Sequence, residues 1–197
     1  MKKGVLNTII VLAVVGMIAA WMMTTYNKLV TQEENVEQAW GQVENQYQRR
    51  FDLIPNLVAM YKEAARVEHD NYVDVVEARA KATQMNINPQ NLTEENLAAF
   101  QNAQGELSQA LGRLMVVIEK YPELKTNENF IKVTDQLEGT ENRITYARDI
   151  FNETAQTFNT TVRRFPGNII AAMFGFEKKP YFKSEAGAER APKIEFD

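Results

Sequence analysis

The chain has 197 residues, 22 Lys and Arg against 26 Asp and Glu, and no cysteine. A net charge of −4 without a clustered basic face excludes the footprint of a nucleic-acid binder. The composition also excludes disulfides and thiol catalysis, and with one histidine, His69, no cysteine and no nucleophile-elbow motif, neither a nucleophilic triad nor a tetrahedral zinc site assembles.

Residues 4–27 carry no charged side chain and lie between Lys2-Lys3 and Lys28. The apolar run 5–23 is 19 residues long, about 28 Å as a helix at ~1.5 Å per residue. That length fits a hydrocarbon core of roughly 30 Å. A cleaved signal peptide is the alternative. The run is longer than a signal's apolar region, and a cut after Ala20 would set Ile18 and Trp21 around the site instead of small residues. The reading adopted is an uncleaved anchor, residues 1–25. Trp21 and Tyr26 suit the headgroup level, and Lys2, Lys3 and the α-amino group favour a cytoplasmic N-terminus with the remaining chain outside.

Residues 26–47 place Tyr26, Leu29, Val36, Trp40, Val43 and Tyr47 at steps of three and four, interrupted only by Glu33. This seam is continuous with the anchor, so no flexible linker separates them. Pro55 marks either a turn or a kink, with the turn preferred. A second helix then spans roughly 55–84 on Leu57, Val58, Tyr61, Ala65, Tyr72, Val76 and Ala80.

Residues 84–92 form a loop, and Thr93 before Glu94-Glu95 reads as an N-cap. The third helix runs to about Tyr121 on two heptad rows, Leu97-Gln104-Leu111-Ile118 and Phe100-Leu107-Leu114-Tyr121. In the fourth, Phe130, Leu137, Ile144, Phe151, Phe158 and Phe165 recur every seven residues beside a smaller row, Val133, Thr140, Ala147, Thr154 and Thr161. The fold expected is all-α: a single transmembrane helix, an up-down antiparallel four-helix bundle over 26–165, an apolar tail at 166–182 and a disordered end at 183–197.

The blocks Tyr26-Asn27-x-Leu29-Val30, Ala39-Trp40, Arg49-Arg50-x-Asp52-Leu53-Ile54-Pro55-Asn56-Leu57-Val58, Glu141-Asn142-Arg143-Ile144 with Arg148, Asn152 and Asn159, and Phe165-Pro166 with Phe174-Gly175-Phe176 and Pro180-Tyr181-Phe182 resemble the LemA family. The resemblance runs to Phe182 and departs at Val67-Glu68-His69-Asp70, where a His-Glu pair is common in the family. It implies a bacterial single-pass membrane protein with a helical bundle and supplies no reaction.

Two groups are candidate sites. Arg49, Arg50, Asp52 and Asn56, with Glu141, Arg143 and Arg148, read first as a buried polar network that fixes helix register, and second as a partner or ligand patch. Phe174, Phe176, Lys178, Lys179, Tyr181 and Phe182 read as a tail docked across the bundle, as an interfacial lipid contact, or as a partner patch. His69 reads as a histidine at the border of the apolar face. The function expected is a non-enzymatic scaffold of the bacterial inner membrane, with membrane organisation by homo-oligomers as the alternative. Its partners are the bilayer and other proteins or copies of itself. No cofactor, metal, nucleic acid or small-molecule substrate is expected.

Overall fold

The first helix, α1 (Lys3–Ala65), is 63 residues long, about 94 Å at ~1.5 Å per residue. This computed structural model describes residues 3–65, 70–85 and 87–183; His69 and the polar end 184–197 lie outside the described residues. The other helices are α2 (Asp70–Gln84), α3 (Glu94–Ile118), α4 (Pro122–Lys125), α5 (Glu128–Arg163) and α6 (Gly167–Phe174), with a 3-10 turn at Pro89–Asn91. Among the described residues there is no strand.

The apolar part of α1 stands clear of the rest of the molecule. Residues 4–21 are all exposed, and the first buried side chain is Leu29. Thr8 sits in this stretch and donates its hydroxyl to the Gly4 carbonyl at 3.0 Å, which satisfies the donor within the helix.

The turn expected at Pro55 is not formed; α1 passes through it. Proline removes the N–H that would bond the carbonyl four residues earlier, here that of Phe51. Arg79 Nε from α2 donates to that carbonyl at 2.9 Å. The buried stripe Phe51, Ile54, Val58 and Tyr61 keeps phase across Pro55, whose ring faces solvent. A tertiary hydrogen bond thus replaces the missing helical one.

The helix expected over 55–84 is instead the end of α1 and a separate α2. Within α2, Val75 and Ala82 are buried while Val76 and Ala80 are exposed. The apolar phase carried over from α1 predicted the opposite.

The start of α3 is capped as expected. Thr93 Oγ1 accepts from Asn96 N at 3.2 Å, and Asn96 Oδ1 accepts from Thr93 N at 2.9 Å. The helix ends at Ile118 and Pro122 opens α4, where a missing N–H costs nothing. Asn127 caps α5 by accepting from Asn129 N and Phe130 N. Phe130, Leu137, Ile144, Phe151 and Phe158 are buried. Phe165, the last of that row, lies past the helix end and is 75% exposed.

Helices α1 and α5 form the closest long pair, and α2 lies along α3. Trp40 meets Phe151 and Arg50 meets Glu141, so α5 runs antiparallel to α1. Asp74–Arg113 and Lys81–Glu106 show the same sense for α2 and α3. The two pairs meet through large rings, Trp40 on Phe100 at 5.5 Å and Tyr47 on Phe100 at 5.0 Å.

Candidate functional site

Arg50 is sealed inside the helical core, with 1% exposure. Its guanidinium donates Nη1 to Glu141 Oε1 and Ser108 Oγ, both at 3.0 Å, and Nη2 to Gln104 Oε1 at 2.5 Å and Gln104 O at 3.2 Å. It also lies 5.3 Å from the Tyr47 ring centroid. One residue later, Phe51 O takes the bond from Arg79. Two adjacent residues of α1 are therefore tied to α2, α3 and α5 together. Glu141 is 42% exposed along its side chain, so the ion pair has one dry end and one wet end.

Of the polar residues expected to act together, the structure joins Arg50 and Glu141 and adds Gln104, Ser108 and Arg79. Arg49, Asp52, Asn56 and Arg143 lie on the surface. Asp52 accepts from Gln48 Nε2 at 2.8 Å, and Arg143 donates to Thr140 Oγ1 at 3.2 Å. Arg148 belongs to the tail: it donates to Lys183 O at 2.9 Å and lies 4.9 Å from the Phe182 ring. Gln104 was visible as the lone amide in a heptad row of α3. Arg79 gave no such signal, because its partner is a backbone carbonyl.

The chain after α6 folds back over the helices. Gly175, at φ 76°, ends α6 in the left-handed conformation that a side chain disfavours, and Phe176 N donates to Ala171 O at 3.0 Å. Phe182 then inserts flat against Trp40, with centroids 5.9 Å apart and planes 9° apart, and edge-on to Phe151 at 5.3 Å.

Side-chain amides hold this strap where a neighbouring strand would. Asn159 bonds both the N–H and C=O of Lys179 at 2.8 Å. Asn152 does the same for Phe182 at 2.8 and 3.0 Å, and Gln101 for Lys183 at 3.3 and 2.9 Å. An extended segment crossing helices has no ladder partner, and these amides complete its backbone hydrogen bonds.

Lys179 is buried and pairs with Glu33 Oε1 at 2.7 Å. This explains why a carboxylate interrupts the seam of α1. Phe176 packs on Phe158 at 6.4 Å and Phe174 on Tyr26 at 4.8 Å. Lys178 and Tyr181 are exposed, although the Tyr181 hydroxyl accepts from Asn159 Nδ2 at 3.0 Å. The six tail residues thus divide into docked ones (Phe176, Lys179, Phe182) and outward ones (Phe174, Lys178, Tyr181).

Beside Arg50 lies a groove of about 820 Å³ edged by Gln101, Gln104, Ser108, Glu141, Arg148 and Lys183. Its wall offers amides, hydroxyls, the carboxylates of Glu106 and Glu141 and two guanidinium groups, with no histidine or cysteine to pair with Ser108. Among the described residues no three acidic or histidine side chains gather to hold a metal.

Known proteins are similar in sequence along nearly the whole chain. Magnetosome proteins MamQ 1 and MamQ 2 of Paramagnetospirillum magneticum are each 26% identical over 206 aligned residues, covering 95% of this chain and 76% of the relative. Magnetosome protein MamQ of Magnetospirillum gryphiswaldense is 25% identical over 208, covering 96% and 76%. The LemA family profile matches residues 39–196, which include the arginine node and the strap. The chain belongs to the LemA family.

Proposed function

We propose that this chain is a single-pass, membrane-anchored scaffold without a reaction centre. In this reading α1, α2, α3 and α5 act as an up-down four-helix bundle that presents a surface to envelope proteins or to other copies of itself. The Lys2-Lys3 flank lies in the cytoplasm of a bacterial cell and the bundle lies outside.

The observation that carries the proposal is the unbroken α1. One helix is long and apolar enough to cross a membrane and also supplies a wall of the core, from Leu29 to Tyr61. A lipid-embedded rod of this kind fixes both the height and the tilt of the bundle, which is useful to a platform and superfluous to a tethered enzyme. Phe165, Ile169, Met173 and Phe174 add an exposed apolar face next to Tyr26, where the span ends. The relatives are named as magnetosome proteins, which supports a place at a membrane.

In-cell crosslinking of the full chain, followed by mass spectrometry, tests the reading. Specific crosslinks from bundle positions to a neighbour, or to a second copy, are expected. They should disappear when a Gly-Gly-Ser insert after Thr25 uncouples the anchor, with membrane retention unchanged. A monomer without specific crosslinks contradicts the scaffold.

A further inference from the structure

A second cavity lies where α1 leaves the apolar stretch. It has a volume of about 450 Å³ and sits between α1 and the end of α5, with Trp21, Phe165 and Pro166 on one side and Gln32 and Gln156 at the other end. Two cations line it, Lys28 and Arg164, and no acid does.

The register of the two helices sets the cations level. Trp40 faces Phe151 and Arg50 faces Glu141. Continued residue for residue, that antiparallel pairing brings Lys28 level with residue 163 at the end of α5, and Arg164 follows it into the cavity lining. Lys28 is five residues past Met23, about 7 Å beyond the apolar run, which is the depth of the headgroup layer outside a ~30 Å core.

The wall is firmly built. The Arg164 N–H bonds Thr160 O at 2.9 Å, and Asn168 N bonds Arg164 O at 3.0 Å. At Gly167 a Cβ would stand 2.8 Å from Thr161 O, so only glycine lets this corner close against α5.

The remaining polar lining includes acceptors. Thr157, Thr160 and Thr161 each donate their hydroxyl to a carbonyl one turn back, so their oxygens can still accept. Gln32 Oε1 is buried without a hydrogen-bond partner. The matching ligand has a phosphate for the two cations, hydroxyl donors for these acceptors, and an apolar part for Trp21 and Phe165.

We infer that this cavity binds the headgroup of an anionic glycerophospholipid with a hydroxyl-bearing headgroup, the phosphate held between Lys28 and Arg164. The inference rests on the membrane-anchored reading above. Lipid is the occupant because the cavity opens beside a span already placed in the bilayer.

The test uses the full chain in nanodiscs of phosphatidylcholine and phosphatidylglycerol at 4:1, with native mass spectrometry counting the lipids retained on release. Wild type is expected to retain phosphatidylglycerol in excess of its bilayer share. Lys28→Gln and Arg164→Gln should each lower that enrichment about fivefold, from ~1 kcal/mol per cation near an anionic surface. Arg163→Gln makes the same charge change one residue away, outside the lining, and should leave the enrichment intact. Circular dichroism keeps misfolded variants out of the comparison.

Enrichment that survives the double substitution, or that falls equally in Arg163→Gln, overturns the site. So does glycerol phosphate in phosphatidylcholine discs if it stabilises wild type as much as phosphatidylglycerol does, since the ligand would then be a free phosphate. Entry into discs without enrichment overturns this site alone. A chain that does not enter discs overturns the anchored reading and the site together.

Discussion

Arg50 shows how a single side chain can set the alignment of several helices. Burying a guanidinium costs more than one ion pair returns, and the arrangement holds because its acceptors come from two helices at once. Removing the cation leaves Gln104 Oε1 without its donor inside the core, while Glu141, 42% exposed, keeps water; an apolar residue of similar length refills the volume. Arg50→Ala should therefore destabilise the full chain in thermal unfolding by about 1–3 kcal/mol for the unpaired acceptor, with the cavity left behind adding to it, and Arg50→Met by clearly less. Equal losses in the two variants would show that the node contributes packing alone. The node was half legible in the sequence. Arg50 and Glu141 were visible as charges and Gln104 as an oddity in a heptad row. Arg49, Asp52, Asn56 and Arg143 shared their composition, and only the helical phase separates them from Arg50.

At the scale of elements, the long rows of α3 and α5 could be read directly, because seven-residue spacing is local information. Pro55 could not. Local preference says that proline ends a helix, and the bond that overrides it comes from Arg79, 28 residues beyond the Phe51 carbonyl it reaches. A double-mutant cycle makes this testable. Arg79→Ala should cost about 1–3 kcal/mol where it leaves Phe51 O unpaired. It should cost clearly less in a Pro55→Ala background, where residue 55 regains an N–H for the same carbonyl. Additive losses would mean that Arg79 does not compensate for the proline.

The strap was foreseen as one of three placements, and its means of attachment was not. Asn152 and Asn159 stand in the blocks that carry the family resemblance and Gln101 carries no signal, and nothing local ties any of them to the segment they hold. Glu33 read as a flaw in the seam because Lys179 follows it by 146 positions. Phe182→Ala should cost about 3–5 kcal/mol and should speed amide exchange at Lys179 and Phe182. Loss of stability with unchanged exchange there would place the effect elsewhere than in the strap.

Over the whole molecule, α1 divides its length between an exposed apolar stretch and the packed core. Its first stretch stays exposed in the isolated protein, and its second is a wall of the core. The lysine flanks and the apolar run could be read from composition, and the continuity between the two stretches followed from a heptad phase broken only at Glu33. The cavity at Lys28 and Arg164 could not be read, because it exists only once α5 ends level with the start of the packed region of α1 and Gly167 closes the corner.

The absence of cysteine allows that continuity to be measured on the full chain, since labels go only where they are placed. Nitroxides at Leu12→Cys and Glu44→Cys, both on exposed positions of α1, are 32 residues apart, about 48 Å along an uninterrupted helix. Double electron–electron resonance in nanodiscs should give one narrow distance distribution centred near that length. A broad distribution, or one centred well below it, would place a joint between the span and the core and contradict the rigid anchor.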